Sequence, residues 1–147
     1  MTASPNPTRP EGTDWRLAVR AGLNGLVFVG PAAIAGQLLA DGDGRVRGGA
    51  ALVIVTVQLL GFCFAGWVVR RFEPLSPVAT CAAAGVVCWA ILQGAGIVTS
   101  LLRGQDLTPL TWVATGLLAA LTAAAGGLLA RVERVPRRPI RSPEESP

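Results

Sequence analysis

The chain has 147 residues, of which 51% are hydrophobic and 15% charged, and it contains no His. Without His, haem ligation by two histidines is excluded. Soluble helices need a polar face, but no Asp, Glu, Arg or Lys occurs in 21–40, 50–69, 74–102 or 107–130. Because an apolar helix of about 20 residues crosses a bilayer core of about 30 Å, this composition excludes an ordinary soluble domain. It predicts an all-α, polytopic membrane protein.

The chain divides into two tails and one membrane domain. Residues 1–13 are polar and rich in Pro, so we expect a disordered tail. The membrane domain is predicted over 14–134. Its four transmembrane helices form two tandem hairpins, and they cover about 14–40, 50–70, 77–102 and 108–133. Residues 135–147 form a second, Pro-rich tail that is first basic and then acidic, for which disorder is again predicted.

Local residues fix the expected ends of these helices. Thr13 is of a type that caps a helix N-terminus, so it is predicted to cap helix 1. Pro31 lies in the middle of helix 1 and is expected to kink it, because Pro lacks the N–H and clashes one turn back. Ser76-Pro77 and Thr108-Pro109 each pair a capping residue with Pro at the first helical turn.

Helix 1 also allows an alternative interpretation. Arg16 and Arg20 precede an apolar stretch that ends in the small-x-small sequence Ala33-Ile34-Ala35, which is how a secretory signal peptide looks. Asn24 and the long polar N-terminus fit that pattern only loosely. Whether residues 1–35 are cleaved therefore stays open at this stage.

Arginine is distributed unevenly between the two ends of the predicted helices. All 13 basic residues are Arg. The connections that follow helices 1 and 3 hold Arg45, Arg47 and Arg103, whereas the other ten lie in the tails, near the adjoining helix ends or in the link between helices 2 and 3. Loops rich in Arg stay in the cytoplasm, so both termini are predicted to be cytoplasmic in a multi-pass plasma-membrane protein. The excess of basic residues is therefore interpreted as a determinant of membrane topology and not as a sign of nucleic-acid binding. The boundary residues at that face are Arg70, Arg71, Arg131 and Arg134.

A repeat relates the two hairpins at an offset of 60 residues. Residues 65–73 read AGWVVRRFE and residues 125–133 read AGGLLARVE. Ten identities fall between positions 21–74 and 81–134, mostly at small residues, a turn Gly and the boundary Arg. The pattern predicts two hairpins in the same orientation, related by a pseudo-twofold axis along the membrane normal, which is a parallel internal repeat. Convergence is the alternative, because every membrane hairpin needs small residues inside and Arg at its cytoplasmic end.

Small residues recur along the spans at spacings that favour close helix packing. Lipid gives no hydrophobic drive for helix association, so small residues that let helix backbones approach must support it. The residues predicted to pack helices together are Gly25, Gly36, Gly66, Ala119, Ala123, Gly126 and Gly127.

Two glutamines stand out among the few polar residues of the spans. Gln58 and Gln93 each lie about 12–14 Å from the outer end of their helix, so they are level with each other near mid-membrane. An amide in hydrocarbon seeks a partner, which predicts an interhelical Gln58–Gln93 hydrogen bond. The alternative is a polar lining for a solute path, in which Thr115 would take part.

No chemical site can be assembled from the remaining motifs. Cys63, Cys81 and Cys88 lie inside the spans without a C-x-x-C pair, and they are interpreted as small buried apolar residues. The stretch DGDGRVRGG at 41–49 begins like a calcium loop but lacks the closing Glu. We therefore predict no catalytic, cofactor-binding or metal site, no cofactor and no enzymatic activity.

The plan resembles known groups of small bacterial membrane proteins. Ala65-Gly66, Arg71 and Gly85 look like the pattern of uncharacterised bacterial four-helix integral membrane proteins. Small multidrug exporters are similar in size but carry a Glu in the first helix, and 21–40 contains no acid. The expected function is a structural or accessory role in a membrane complex, with the lipid bilayer, further copies or a larger complex as partners. The alternative is a subunit of a minimal oligomeric transporter or channel.

Overall fold

The fold is a bundle of four helices. The computed structural model describes residues 12–40, 46–102 and 109–132, and all regular secondary structure in those ranges is helical. The elements are α1 (Trp15–Leu39), α2 (Gly49–Phe72), α3 (Val78–Leu102) and α4 (Pro109–Val132). All four are long and apolar enough to cross a membrane. Their ends lie within two residues of the helix ends predicted from the sequence, whereas the predicted tails lie outside the described residues except for positions 12 and 13.

The helix ends that are described have local causes. Asp14, rather than the expected Thr13, is the N-cap of α1, and its carboxylate accepts a hydrogen bond from the Leu17 N–H at 3.1 Å. This pairing satisfies one of the free N–H groups of the first turn. Gly48 precedes α2 with φ of 67°, a left-handed conformation that glycine adopts without steric cost. α1 continues on both sides of the exposed Pro31.

The order of the helices around the bundle follows from their contacts. α1 and α4 each pack against both α2 and α3, and α2 also meets α3 across the centre. Within the described ranges α1 and α4 do not contact each other. The starts of α1 and α3 meet at one end of the bundle, where the Asp14 N–H donates to Thr80 Oγ1 at 3.3 Å. We call this end, where α2 and α4 finish, the Arg70 end, and the opposite end the Leu39 end.

This order departs from twofold symmetry. A twofold axis that exchanges α1 with α3 and α2 with α4 would give α1 and α4 the same contact that α2 makes with α3. Of these two contacts, the one between α2 and α3 occurs among the described residues and the one between α1 and α4 does not. The second hairpin therefore lies beside the first, displaced laterally with the same direction, and the repeat itself stays a prediction.

The helix backbones approach most closely near the Arg70 end. A Cβ added to Gly66 of α2 would overlap the backbone of Ala123 in α4, and a Cβ added to Gly126 would overlap the backbone of Cys63 in α2. Gly126 follows Gly66 by 60 residues, and Ala123 follows Cys63 by the same offset. The two parallel helices thus contact each other in register through the Ala-Gly pairs of the repeated stretches.

The other predicted packing residues divide into two groups. Ala119 and Ala123 are fully buried. A Cβ added to Gly25 would lie 2.9 Å from the Cβ of Ala65, and one added to Gly127 would overlap the side chain of Cys81. These four residues lie in tight helix contacts. Gly36 differs, since an added Cβ would meet only Ile54, at 3.8 Å.

The reason for this difference is that the helices diverge toward the Leu39 end. On that side, no described residue is buried in α1 beyond Ala32, in α2 before Gly61, in α3 after Cys88 or in α4 before Ala119. The bundle therefore has a closely packed half and an open half.

Candidate functional site

A cavity of about 210 Å³ lies in the open half of the bundle, between α2, α3 and α4. At a rise of 1.5 Å per residue, Gln58 is about 13 Å from the start of α2, which places the cavity near the middle of the helices. We call it the polar recess. It is lined by Val55, Gln58, Leu59 and Phe62 of α2, Trp89, Leu92 and Gln93 of α3, and Thr115 and Leu118 of α4.

The hydroxyl of Thr115 joins α3 to α4 inside the polar recess. Thr115 Oγ1 accepts hydrogen bonds from Trp89 Nε1 at 3.1 Å and from Gln93 Nε2 at 3.4 Å. It also lies 2.9 Å from the carbonyl oxygen of Thr111 and 3.0 Å from that of Trp112, to one of which it donates. A hydroxyl has one proton and two lone pairs, so these contacts use its full capacity. The result is one fixed polar centre among apolar walls.

Gln58 and Gln93 line the same recess, on α2 and α3 respectively. The hydrogen bond of Gln93 in the recess goes to Thr115. In the described part of the chain, Gln58 forms no hydrogen bond, so the two amides share the recess without the direct bond that was predicted between them. An amide without a hydrogen-bond partner costs free energy in an apolar environment. A hydrogen-bonding group that entered the recess would therefore be stabilised by Gln58.

The sequence did not reveal the role of Trp89. Its indole N–H donates a hydrogen bond to Thr115 in the recess. The ring also covers Gly116, where an added Cβ would lie 3.2 Å from the indole. The spacing in the sequence could have indicated this position, because Trp89 and Gln93 are four residues apart and therefore share a face of α3.

Apolar side chains close the polar recess toward the Arg70 end. Val29, Phe62, Cys88 and Ala119 form a buried cluster from all four helices, and Trp89 and Leu92 of the recess pack against it. A second buried cluster follows closer to the Arg70 end, and it includes Ala65, Val69 and Ala84. Among the described residues, apolar side chains therefore close the recess on this side.

The boundary arginines occupy different environments. Arg70 is buried, and its Nη1 donates to the carbonyl oxygen of Pro74 at 2.9 Å, which ties the end of α2 to the link before α3. Arg71 is exposed, with its guanidinium 5.9 Å from the centre of the Trp67 ring. Arg131 is exposed near the end of α4, and Arg134 lies outside the described residues.

The three cysteines lie in the closely packed half as free thiols. Cys81 and Cys88 are fully buried, and Cys63 is partly buried. Each belongs to a helix contact, because Cys81 packs on Gly127, Cys88 on Gly25 and Cys63 on Gly126. Their positions fit the role of small apolar packing residues.

The chemistry available in the polar recess is neutral hydrogen bonding. Its lining contains two amides, a hydroxyl and an indole among apolar side chains, and none of the lining residues is charged. No protein-family model, curated protein or solved structure matches the chain.

Proposed function

We propose that the protein is a small integral membrane protein with a non-enzymatic, structural or accessory role in a membrane complex. The observation that carries the proposal is the combination of a closely packed half with a blind recess. Contacts between backbones at Gly66 and Gly126 hold the helices together, and apolar clusters close the path through a single chain. Such a bundle suits a stable membrane scaffold better than a passage.

The proposal includes an orientation in the bacterial plasma membrane. Five of the 13 arginines lie in α1, α2 and α4 near the Arg70 end, and five more belong to the segments that precede α1 or follow α4 in the sequence. The positive-inside rule favours that side as cytoplasmic, which puts both termini in the cytoplasm. Trp67 and Arg71 near this end fit an interfacial position, where indole rings and Arg side chains are common.

The exposed surface of the bundle is suited to contact with lipid or with other membrane proteins. Large apolar side chains are exposed on all four helices, for example Val27 on α1, Leu52 on α2, Val98 on α3 and Leu121 on α4. In water such a surface would drive aggregation. Lipid tails, further copies of the chain or the helices of a larger complex would each cover it.

Partner capture tests the accessory role. The chain, tagged and expressed at its native level, is purified from native membranes in a mild detergent, and co-purifying proteins are quantified. We expect one set of membrane proteins in a constant ratio to the bait. A tagged unrelated four-span protein is the control for non-specific capture. Recovery of the bait without any protein in constant ratio would contradict the accessory role.

A second candidate function is a subunit of a minimal oligomeric transporter or channel. One observation favours it: Gln58, Gln93 and Thr115 line a common cavity. Because the recess is blind in one chain, transport would require several copies or a change in the helix packing. Proteoliposomes loaded with glycerol test this function. Glycerol release faster than from empty vesicles, and slowed by Gln58→Leu, would favour transport, while equal release would eliminate it for neutral solutes of this size.

A further inference from the structure

The polar recess has the properties of a binding site for a small neutral molecule. Its volume of about 210 Å³ exceeds that of an apolar cavity of about 150 Å³, which is large enough to hold benzene. The walls include Val55, Leu59, Leu92 and Leu118, so most of the surface offered to an occupant is apolar. The size and the walls together fit a molecule with a single substituted ring.

The polar groups of the recess define what such a molecule must carry. Thr115 Oγ1 is fully used by Trp89, Gln93 and a backbone carbonyl. The amide of Gln58 has no partner among the described residues, although it has two N–H donors and one carbonyl acceptor. A hydroxyl group or an amide on the occupant can accept from the Gln58 N–H and donate to its carbonyl. Either group would remove the cost of an unpaired amide at this depth.

Charge and depth exclude other classes of occupant. None of the lining residues is charged, and the recess lies near mid-helix, where bringing in an ionised group is expensive. A purely apolar occupant such as an acyl chain would fill the volume but would leave Gln58 unpaired.

We propose that the polar recess binds a neutral, single-ring molecule carrying one hydroxyl or amide group, which is held by the Gln58 side chain. This inference rests on the geometry of the recess and not on the accessory role, so a failure to capture protein partners leaves it intact. It also needs no passage through the bundle, because the recess is closed toward the Arg70 end by the buried cluster around Phe62.

The test compares two probes that differ by one hydroxyl, 4-fluorophenol and fluorobenzene. Binding to the full chain in lipid nanodiscs is followed by ¹⁹F NMR, and partition into empty nanodiscs is subtracted. We expect saturable binding of 4-fluorophenol with an affinity roughly 5- to 10-fold higher than that of fluorobenzene, the difference expected from about one net hydrogen bond.

Two matched pairs of variants locate the site. Gln58→Leu should remove the preference for the phenol, whereas Gln37→Leu, which alters an exposed amide on α1, should retain it. Leu118→Trp should fill the recess and abolish saturable binding, whereas Leu117→Trp, on the 61% exposed neighbour, should not. Circular dichroism and thermal unfolding of each variant identify any that fail to fold, and the comparison then rests on the other pair.

Three results would overturn the proposal. Absence of saturable binding of both probes would show that the recess takes no such molecule. Equal affinity for the two probes would indicate an apolar occupant such as a lipid chain. Unchanged phenol preference in Gln58→Leu would place the binding site elsewhere.

Discussion

Replacing Gly66 with Ala tests the closest helix contact of the bundle. The added Cβ would overlap the carbonyl oxygen of Ala123 and would lie 2.5 Å from its carbonyl carbon. Ordinary carbon contacts are about 3.5–4.0 Å, so α2 and α4 must separate by at least about 1 Å. Backbone atoms cannot rotate out of the way as a flexible side chain can. A gap of this size already forfeits about a quarter to a half of each dispersion contact, and overpacking costs about 1–3 kcal/mol.

Gly36→Ala is the matched control, because the same methyl group enters open space. Its nearest neighbour would be Ile54 at 3.8 Å, an ordinary contact. Ala is favoured over Gly inside a helix by up to about 1 kcal/mol, so this variant should be neutral or slightly stabilised. The gain in helix propensity is common to both substitutions, so the two variants should differ by the overpacking cost alone, about 1–3 kcal/mol in the free energy of unfolding. Reversible unfolding by SDS in mixed micelles measures that difference. Equal stabilities for Gly66→Ala and Gly36→Ala would refute the close approach of α2 and α4.

Three further predictions concern single side chains. Thr115→Val should lower the free energy of unfolding by about 1–2 kcal/mol, because Trp89 and Gln93 both lose the hydroxyl that accepts their hydrogen bonds. An unchanged stability in the same SDS titration would contradict these hydrogen bonds. Arg70→Ala should lower the free energy of unfolding by about 1–3 kcal/mol, because it removes the hydrogen bond to a backbone carbonyl and the packing of the side-chain stem. Arg71→Ala, at an exposed neighbour, should lower it by less than about 1 kcal/mol. Similar losses would contradict the different burial of the two arginines. In the folded protein, the partly buried Cys63 should react with methyl methanethiosulfonate before the fully buried Cys88. Mass spectrometry of timed samples measures the order of modification. Simultaneous modification would mean that the closely packed half opens.

The helices were predictable from the sequence because the charges mark their ends. Arg20 and Arg70 bound long stretches without a charged residue, and an uncharged helix of this length has few stable environments other than a membrane. The use of Gly66 and Gly126 as packing residues was also predictable from the repeated Ala-Gly pairs, but their contact across α2 and α4 was not. Depth could be worked out from the helical rise, which is why Gln58 and Gln93 were expected at one level.

The faces of the helices were not predictable, and the reason is physical. Lipid is as apolar as the bundle interior, so a span carries no polar stripe to distinguish the buried face from the exposed one. The sequence therefore could not show that α1 lies beside α3, or that Gly36 lies where the helices diverge. Arg70 and Arg71 are likewise identical residues in the sequence, and only the structure separates the buried one from the exposed one.

The most direct measurement of the central claim is the sidedness of each connection in the native membrane. A variant with its three natural cysteines replaced by Ala receives one new cysteine at Ser4, Val46, Asp106 or Ser142, and intact cells are treated with a membrane-impermeant maleimide. Four spans with both termini in the cytoplasm predict labelling at positions 46 and 106 from outside, and labelling at positions 4 and 142 only after permeabilisation. Labelling of position 142 from outside, or protection of positions 46 and 106, would contradict the proposed orientation of the four-helix bundle.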